Sequence, residues 1–255
     1  MLQLYHWEPN IGSGALVACL KEKRLPFESR YVDLLQWQQH RPEFLRLEPF
    51  GELPVLLHEG HVISGLAPTL LYVEDAFAAP RLAPATLPEL YEAHFWIKYS
   101  EDRMAPYANA LGWHRITRPG LAASAIAAAR ESLEGLPLER RRLWEQALDD
   151  GYSAEELALA HDALAAAVSK LETALGRAPW LCGERCSLAD LALVFIVRGL
   201  RAAAPELLDP RQASRTLEWL ARVEARPAVR EALALARHPA PERLFAIGRE
   251  PPRWG

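Results

Sequence analysis

Hydrophobic and polar residues alternate over the first third of the chain and recur at helical spacing through the rest. LQLYHW (2–7) and FESRYVD (27–33) have the two-residue period of half-buried strands. LPVLLHEGHVIS reads as a hairpin, 55–57 and 61–64, about a turn at Glu59-Gly60. A helical pattern follows the turn EPNIGSG and runs through Lys23, and a helix-compatible segment spans 37–47. In VISGLAPTLLYVED the last strand passes into a helix opened by Gly65, with Pro68 in the first turn, where its missing N–H is harmless. The order β-α-β-α-β-β-α predicts one α/β domain over 1–78, with a βαβ unit and a hairpin on the same sheet.

Residues 79–88 form a proline-rich linker, and no strand pattern follows it. Helical patterns cover 89–112, 121–131, 153–175 and 187–203, and two shorter ones end near 225 and 237. Residues 89–255 therefore read as an all-helical domain. Ser187 and Asp190 have the spacing of a capping box, Pro106 predicts a kink, and the tail REPPRWG reads as irregular.

Composition narrows the function classes. Half of the 255 residues are hydrophobic, enough for a sizeable core without metal or disulfide staples. The net charge of −4 and the absence of a long basic block argue against nucleic acid, and ERRRLWE (139–145) mixes both signs as a helix face does. Cys19, Cys182 and Cys186 make no framework, and the four-residue spacing of the last two suits neither a redox pair nor a zinc site. With no signal-peptide pattern, a reducing cytoplasm is expected, and no metal. LALVFIVRGL (191–200) is too short for a membrane span and is interrupted by Arg198.

Four segments, LYHWEPNIGSG, LKEKRLPFESRYVDL, PEFLRLEPFGELPVL and WLCGERCSLADLAL, in this order and spacing resemble the cytosolic glutathione transferases. QWQQHRPEFL, HFWIKYSEDRMAPYANALGWH and RRLWEQALDDGYSAEEL are most similar to the bacterial glutathione-dependent β-aryl-ether-cleaving enzymes, so the resemblance covers nearly the whole chain. It implies a thioredoxin-like domain carrying the glutathione site and a helical domain carrying an acceptor pocket. It also implies glutathione as co-substrate, a small aromatic or hydrophobic electrophile, and a homodimer, to which a large apolar content adds a hint.

The resemblance assigns roles to particular residues. A free thiol titrates near ~8.5, and the family lowers that value to generate a thiolate. Ser13 matches the activating position, although a serine before a helix also serves as a simple cap. Gly12 stands where the ether-cleaving group often has asparagine. Pro54 matches a cis proline that turns Leu53 toward the cysteinyl backbone of glutathione, and His40 matches a position that meets the glycine carboxylate. Trp96, Tyr99, Tyr107 and Trp113 recur at helical spacing where the family faces its electrophile. That stripe reads equally as core packing. Trp7 lies beside Ser13.

One departure stands out. The family usually has Glu-Ser for the γ-glutamyl ammonium and carboxylate where this chain has Gly65-Leu66. Only the Leu66 N–H survives, with Ser64 as a possible neighbour. Two lost charge-assisted bonds of roughly 1.5–3 kcal/mol each would weaken binding by about 10² to 10⁴-fold. Restoring the pair by Gly65→Glu with Leu66→Ser is expected to tighten it. The alternative reading is a homologue with lost or altered glutathione binding, acting as a glutathione-independent tailoring enzyme or a non-catalytic binding protein.

Overall fold

A computed structural model describes residues 1–149 and 151–247, so the expected irregular tail lies outside the described residues. In β1 (Leu2–His6) residues 2, 4 and 6 point into the core while their neighbours are half-buried, as the alternation predicts. β1 pairs in parallel with β2 (Phe27–Tyr31), and the crossover between them is α1 (Ile11–Glu22). On its other side β1 runs antiparallel to β3 (Val55–His58), which makes a hairpin with β4 (His61–Ser64). The sheet order is β2-β1-β3-β4, and α3 (Leu66–Ala76) closes the domain.

The segment 37–47 is not one helix. Trp37 takes a left-handed conformation, φ 54°, between two 3₁₀ turns, and Pro42 then opens the single-turn helix α2 (Pro42–Leu45). The break has a local cause: Asp33 accepts from the Leu35 amide at 2.9 Å and closes the first turn too tightly to propagate as α.

The linker is pinned. A buried ion pair joins Lys23 Nζ to Glu74 Oε2 at 2.8 Å, and Glu74 also accepts from the amides of Leu82 and Ala83. Beyond it come α4 (Leu87–Tyr99) and α5 (Ala105–Gly112), joined by a π-helical turn over Ser100–Met104 and followed by another over Trp113–Thr117. The disruption expected at Pro106 is thus taken up just before it, where the helix widens. α6 (Ala123–Ser132), α7 (Leu138–Asp149), α8 (Ala154–Leu175), α9 (Leu188–Ala203), α10 (Ser214–Glu224) and α11 (Pro227–Leu233) complete the bundle.

One core runs through both halves because α1 packs directly on α9. Gly14 makes the approach possible: a Cβ there would lie 2.4 Å from the Phe195 ring. At the head of α9 the fully buried Asp190 accepts from the amides of Leu181 (3.1 Å) and Ser187 (2.8 Å) and from Trp219 Nε1 (2.8 Å). That carboxylate ties the loop before α9 to α10 and fulfils the capping-box expectation.

Candidate active site

The N-terminus of α1 and the loop before β3 meet the helical domain around one cavity. Ser13 lies in the first turn of α1 rather than ahead of it, and is 5% exposed. Its Oγ accepts from the Trp7 amide at 3.2 Å, which leaves the hydroxyl proton uncommitted among the described residues. The Leu53-Pro54 peptide bond is cis, and both residues line the cavity with Ser13 and Trp7. Gly12 explains itself here. A Cβ at that position would stand 3.0 Å from Pro54 Cδ, so a longer side chain would push the two walls apart.

Across the cavity, α3 starts at Leu66 after Gly65, whose φ of 83° suits glycine. The first amide of this helix is already matched. Leu66 N–H donates to Glu101 Oε1 at 3.0 Å, and Glu101 projects from the π turn between α4 and α5. A carboxylate is therefore present at the helix N-terminus, but it comes from the helical domain and not from the residue before α3. Grafting Glu-Ser onto Gly65-Leu66 would strain the backbone and place a Cβ 3.2 Å from Glu101 Oε1. It would also cut into a buried Leu66. The helix start is thus less permissive of that double change than its sequence suggests. Ser64 is exposed at the end of β4 and does not line the cavity.

The remaining wall combines Gln39, Glu52, Arg140, Trp144, Ala105, Asn109 and the C-terminal residues Ala246 and Ile247. Arg140 is buried and donates to the carbonyls of Phe50 (3.3 Å) and Ile247 (2.8 Å), with Glu52 Oε1 at 3.9 Å. Asn10, at the N-cap position of α1, spends its side-chain amide on the Leu244 carbonyl at 2.7 Å. Together these bonds strap residues 241–247 over the cavity. Phe245 anchors the strap against Gly112, where a Cβ would lie 2.1 Å from its ring. Trp7 Nε1, both amide atoms of Gln39 and Trp144 Nε1 are buried with no partner among the described residues. Orphaned polar atoms converging on one cavity indicate groups completed by a ligand.

His40 is elsewhere. It lines a separate depression with Trp37, Arg46 and Ser132, and the left-handed turn at Trp37 places its neighbour Gln39 in the cavity instead. Ser132 Oγ donates to the Ala129 carbonyl at 2.6 Å, so it must accept from His40 Nδ1–H at 2.7 Å. Nε2 is then the bare nitrogen, buried without a partner. Burial, helped by the Arg140 guanidinium, lowers the His40 pKa to about 3. A folded value below the unfolded ~6.5 means stability that is whole above pH ~6.5 and drains away as pH falls toward the folded value. Stability is expected to fall by up to about 1.4 kcal/mol per pH unit below that point. His40→Asn, which keeps a donor for Ser132, should flatten the slope in denaturant titrations run from neutral to mildly acidic pH. An unchanged slope would remove His40 as its source.

The aromatic stripe belongs to the core. Trp96 and Tyr107 are buried in the main cluster, Trp113 donates to the Ala147 carbonyl in a cluster with Trp37 and Trp144, and Tyr99 stacks on Phe95. None of the four lines the cavity. The π turn over Ser100–Met104 inserts a residue into the helical count and rotates Tyr107 and Trp113 relative to Trp96 and Tyr99, so spacing that suggests one face is spread over more than one. Glu101, Ala105 and Asn109, four residues apart, form the face that does meet the cavity. Their small and polar character was the available signal. The three cysteines are free and none lines the cavity. Burial pushes the Cys19 thiol up to about 12.

Comparisons with known proteins bear on this geometry. Residues 15–76 match the model for the glutathione S-transferase N-terminal domain, and residues 140–231 match that for its C-terminal domain, together more than half of the chain. The chain belongs to the glutathione S-transferase family. It is 28% identical over 240 residues to protein LigF of Sphingobium sp. (strain NBRC 103272 / SYK-6), covering 90% of this chain and 92% of that protein. The crystal structure of the β-etherase LigF superposes with a TM-score of 0.82 at 25% identity, over 91% of this chain and 98% of the other. Glutathione S-transferase F10 of Arabidopsis thaliana is 29% identical over 182 residues, 71% of this chain and 72% of its own. A family member from Pseudomonas fluorescens pf-5, solved with two glutathione bound, shares the fold with a TM-score of 0.70 at 22% identity, over 91% of this chain and 92% of the other. The transferase fold is thus shown in full, a four-stranded thioredoxin-like domain followed by a helical domain. Among the described residues no helix is long and apolar enough to cross a membrane, and no cluster of three or more His, Cys, Asp or Glu could hold a metal.

Proposed function

We propose that the cavity binds glutathione and that this transferase acts on β-aryl ethers, displacing an aryloxide from the carbon next to a ketone. The supporting observation is the placement of Ser13 in the first turn of α1 beside the Leu53-Pro54 edge, where its hydroxyl proton and nearby indole and amide groups have no partner among the described residues. Glutathione supplies a sulfur nucleophile: a C–S bond forms, the ether C–O bond breaks, and the thiol proton ends on the released phenol.

The chain's own residues prepare that exchange. Ser13 donates to the sulfur, and the free amides of the α1 N-terminus add a positive field, so the anionic form is favoured. Leu53 and Pro54 position the cysteinyl unit. Gln39 and Arg140 face the glycine end, with Arg140 held rigid by its carbonyl partners. Trp7 and Trp144, in place of the α4–α5 stripe, offer aromatic walls and indole N–H donors to an ether or ketone oxygen. A homodimer fits the exposed apolar stripe Leu87, Tyr91 and Phe95, spaced one turn apart on α4.

The test is an aryl ether of a hydroxymethyl aryl ketone carrying a fluorescent coumarin as leaving group. Release of coumarin that needs glutathione, with one thioether formed per coumarin, is expected. Release no faster than in protein-free glutathione would refute the assignment, and so would equal release without thiol.

A further inference from the structure

Three charged side chains line the cavity, and none is supplied where a local motif would put it. The buried Arg140 guanidinium shares its wall with Gln39 and has Glu52 Oε1 at 3.9 Å. The N-terminus of α3 is capped from outside, with Glu101 Oε1 accepting from Leu66 N–H at 3.0 Å across 35 residues of chain. Gly65 makes the capping possible. A side chain there would begin 3.2 Å from the Glu101 oxygen, and the backbone at φ 83° favours glycine. A helix N-terminus ordinarily draws an anion from solution. Here its leading amide is satisfied by the protein's own carboxylate, which turns an anion-attracting position into one that attracts a cation. Trp7, Gln39 and Trp144, all more than nine-tenths buried, line the same cavity and carry polar atoms with no partner among the described residues, so the space beside these charges is a polar-lined cavity and not a closed core.

We propose that Glu101 is the specificity-determining residue of this site: it selects thiols whose end at α3 carries an ammonium, and it disfavours an α-carboxylate at that end. The inference rests on the reading that the cavity binds a glutathione-like thiol. Glutathione has an ammonium and an α-carboxylate at its γ-glutamyl end and a lone carboxylate at its glycine end. With the sulfur at Ser13, the glycine carboxylate goes to Arg140 and Gln39, and the γ-glutamyl end goes to Glu101. Its ammonium is attracted there. Its α-carboxylate meets a like charge and finds the first α3 amide taken, a penalty built into the site rather than a missing contact. The favoured substrate class is a cysteinyl peptide that ends in an amine without a neighbouring carboxylate.

Calorimetric titration separates the groups with three peptides: glutathione, γ-aminobutyryl-cysteinyl-glycine, which lacks the α-carboxylate, and glutaryl-cysteinyl-glycine, which lacks the α-ammonium and keeps the carboxylate of the γ-glutamyl end. The natural protein is expected to bind the aminobutyryl peptide at least ten-fold more tightly than glutathione, and the glutaryl peptide more weakly than the aminobutyryl one. Glu101→Gln keeps an oxygen for the Leu66 amide, so the helix start is retained, and it should bring glutathione to at least equal affinity with the aminobutyryl peptide. An order of affinities unchanged by Glu101→Gln would overturn the proposal and leave the glutathione reading standing. Failure of all three peptides to bind either protein would overturn both.

Discussion

Ser13→Ala is expected to lower kcat/KM for the thiol-dependent displacement by about 10² to 10³-fold, the scale of removing one preorganised donor from a developing anion. The geometry supports an effect of this size because the hydroxyl is held from behind. Its oxygen accepts from the Trp7 amide at 3.2 Å, so its proton is available to a sulfur in the cavity without reorganisation. The same bond means the substitution has a second consequence. Alanine leaves the Trp7 N–H buried without an acceptor, which costs about 1–3 kcal/mol and lowers the melting temperature by a few degrees. Rate and melting curve should therefore both move, and the rate loss should persist at temperatures well below the transition. A variant with undiminished kcat/KM would take Ser13 out of the chemistry.

The largest expected loss of stability comes with Asp190→Ala. The carboxylate is fully buried and accepts from Leu181 N–H, Ser187 N–H, Ser187 Oγ–H and Trp219 Nε1–H, which lie on the loop before α9, at its first turn and on α10. Alanine strands these donors in a dry site where water cannot replace the lost acceptor. Breaking such a buried network costs about 3–5 kcal/mol, a large share of the stability of a typical domain. Soluble yield should fall steeply, and urea unfolding of the remainder should shift to a much lower midpoint. A loss under about 1 kcal/mol would show that the donors find other partners and that the network is not the keystone of the helical half.

The sheet was legible because its strands alternate, and the α1 and α3 helices because their apolar stripes and flanking turns are short-range features. Ser13, Trp7, Leu53, Pro54 and Leu66 converge on the cavity for the same reason, since each is placed by a local turn or helix start. The features that escaped depend on rotation or on distance. One left-handed residue, Trp37, exchanges Gln39 for His40 at the cavity wall. The π turn over Ser100–Met104 rotates Tyr107 and Trp113 relative to Trp96 and Tyr99, so the four aromatics do not share the face that their spacing suggests. Glu101, Arg140 and the 241–247 strap reach the site from far along the chain, and no periodicity carries that information. The Gly65-Leu66 pair was readable as a lost motif. Only the fold shows that a carboxylate returns to the same helix from another direction.

Ionisation of a bound thiol by this cavity can be read from the ultraviolet absorbance of the thiolate. Saturating thiol peptide is titrated with base in the presence of the natural protein and of Ser13→Ala. The natural protein should hold the bound thiol at least one unit below the ordinary ~8.5, with Ser13→Ala returning most of that shift. A bound thiol that titrates at its ordinary value in both proteins would show that the cavity does not ionise it.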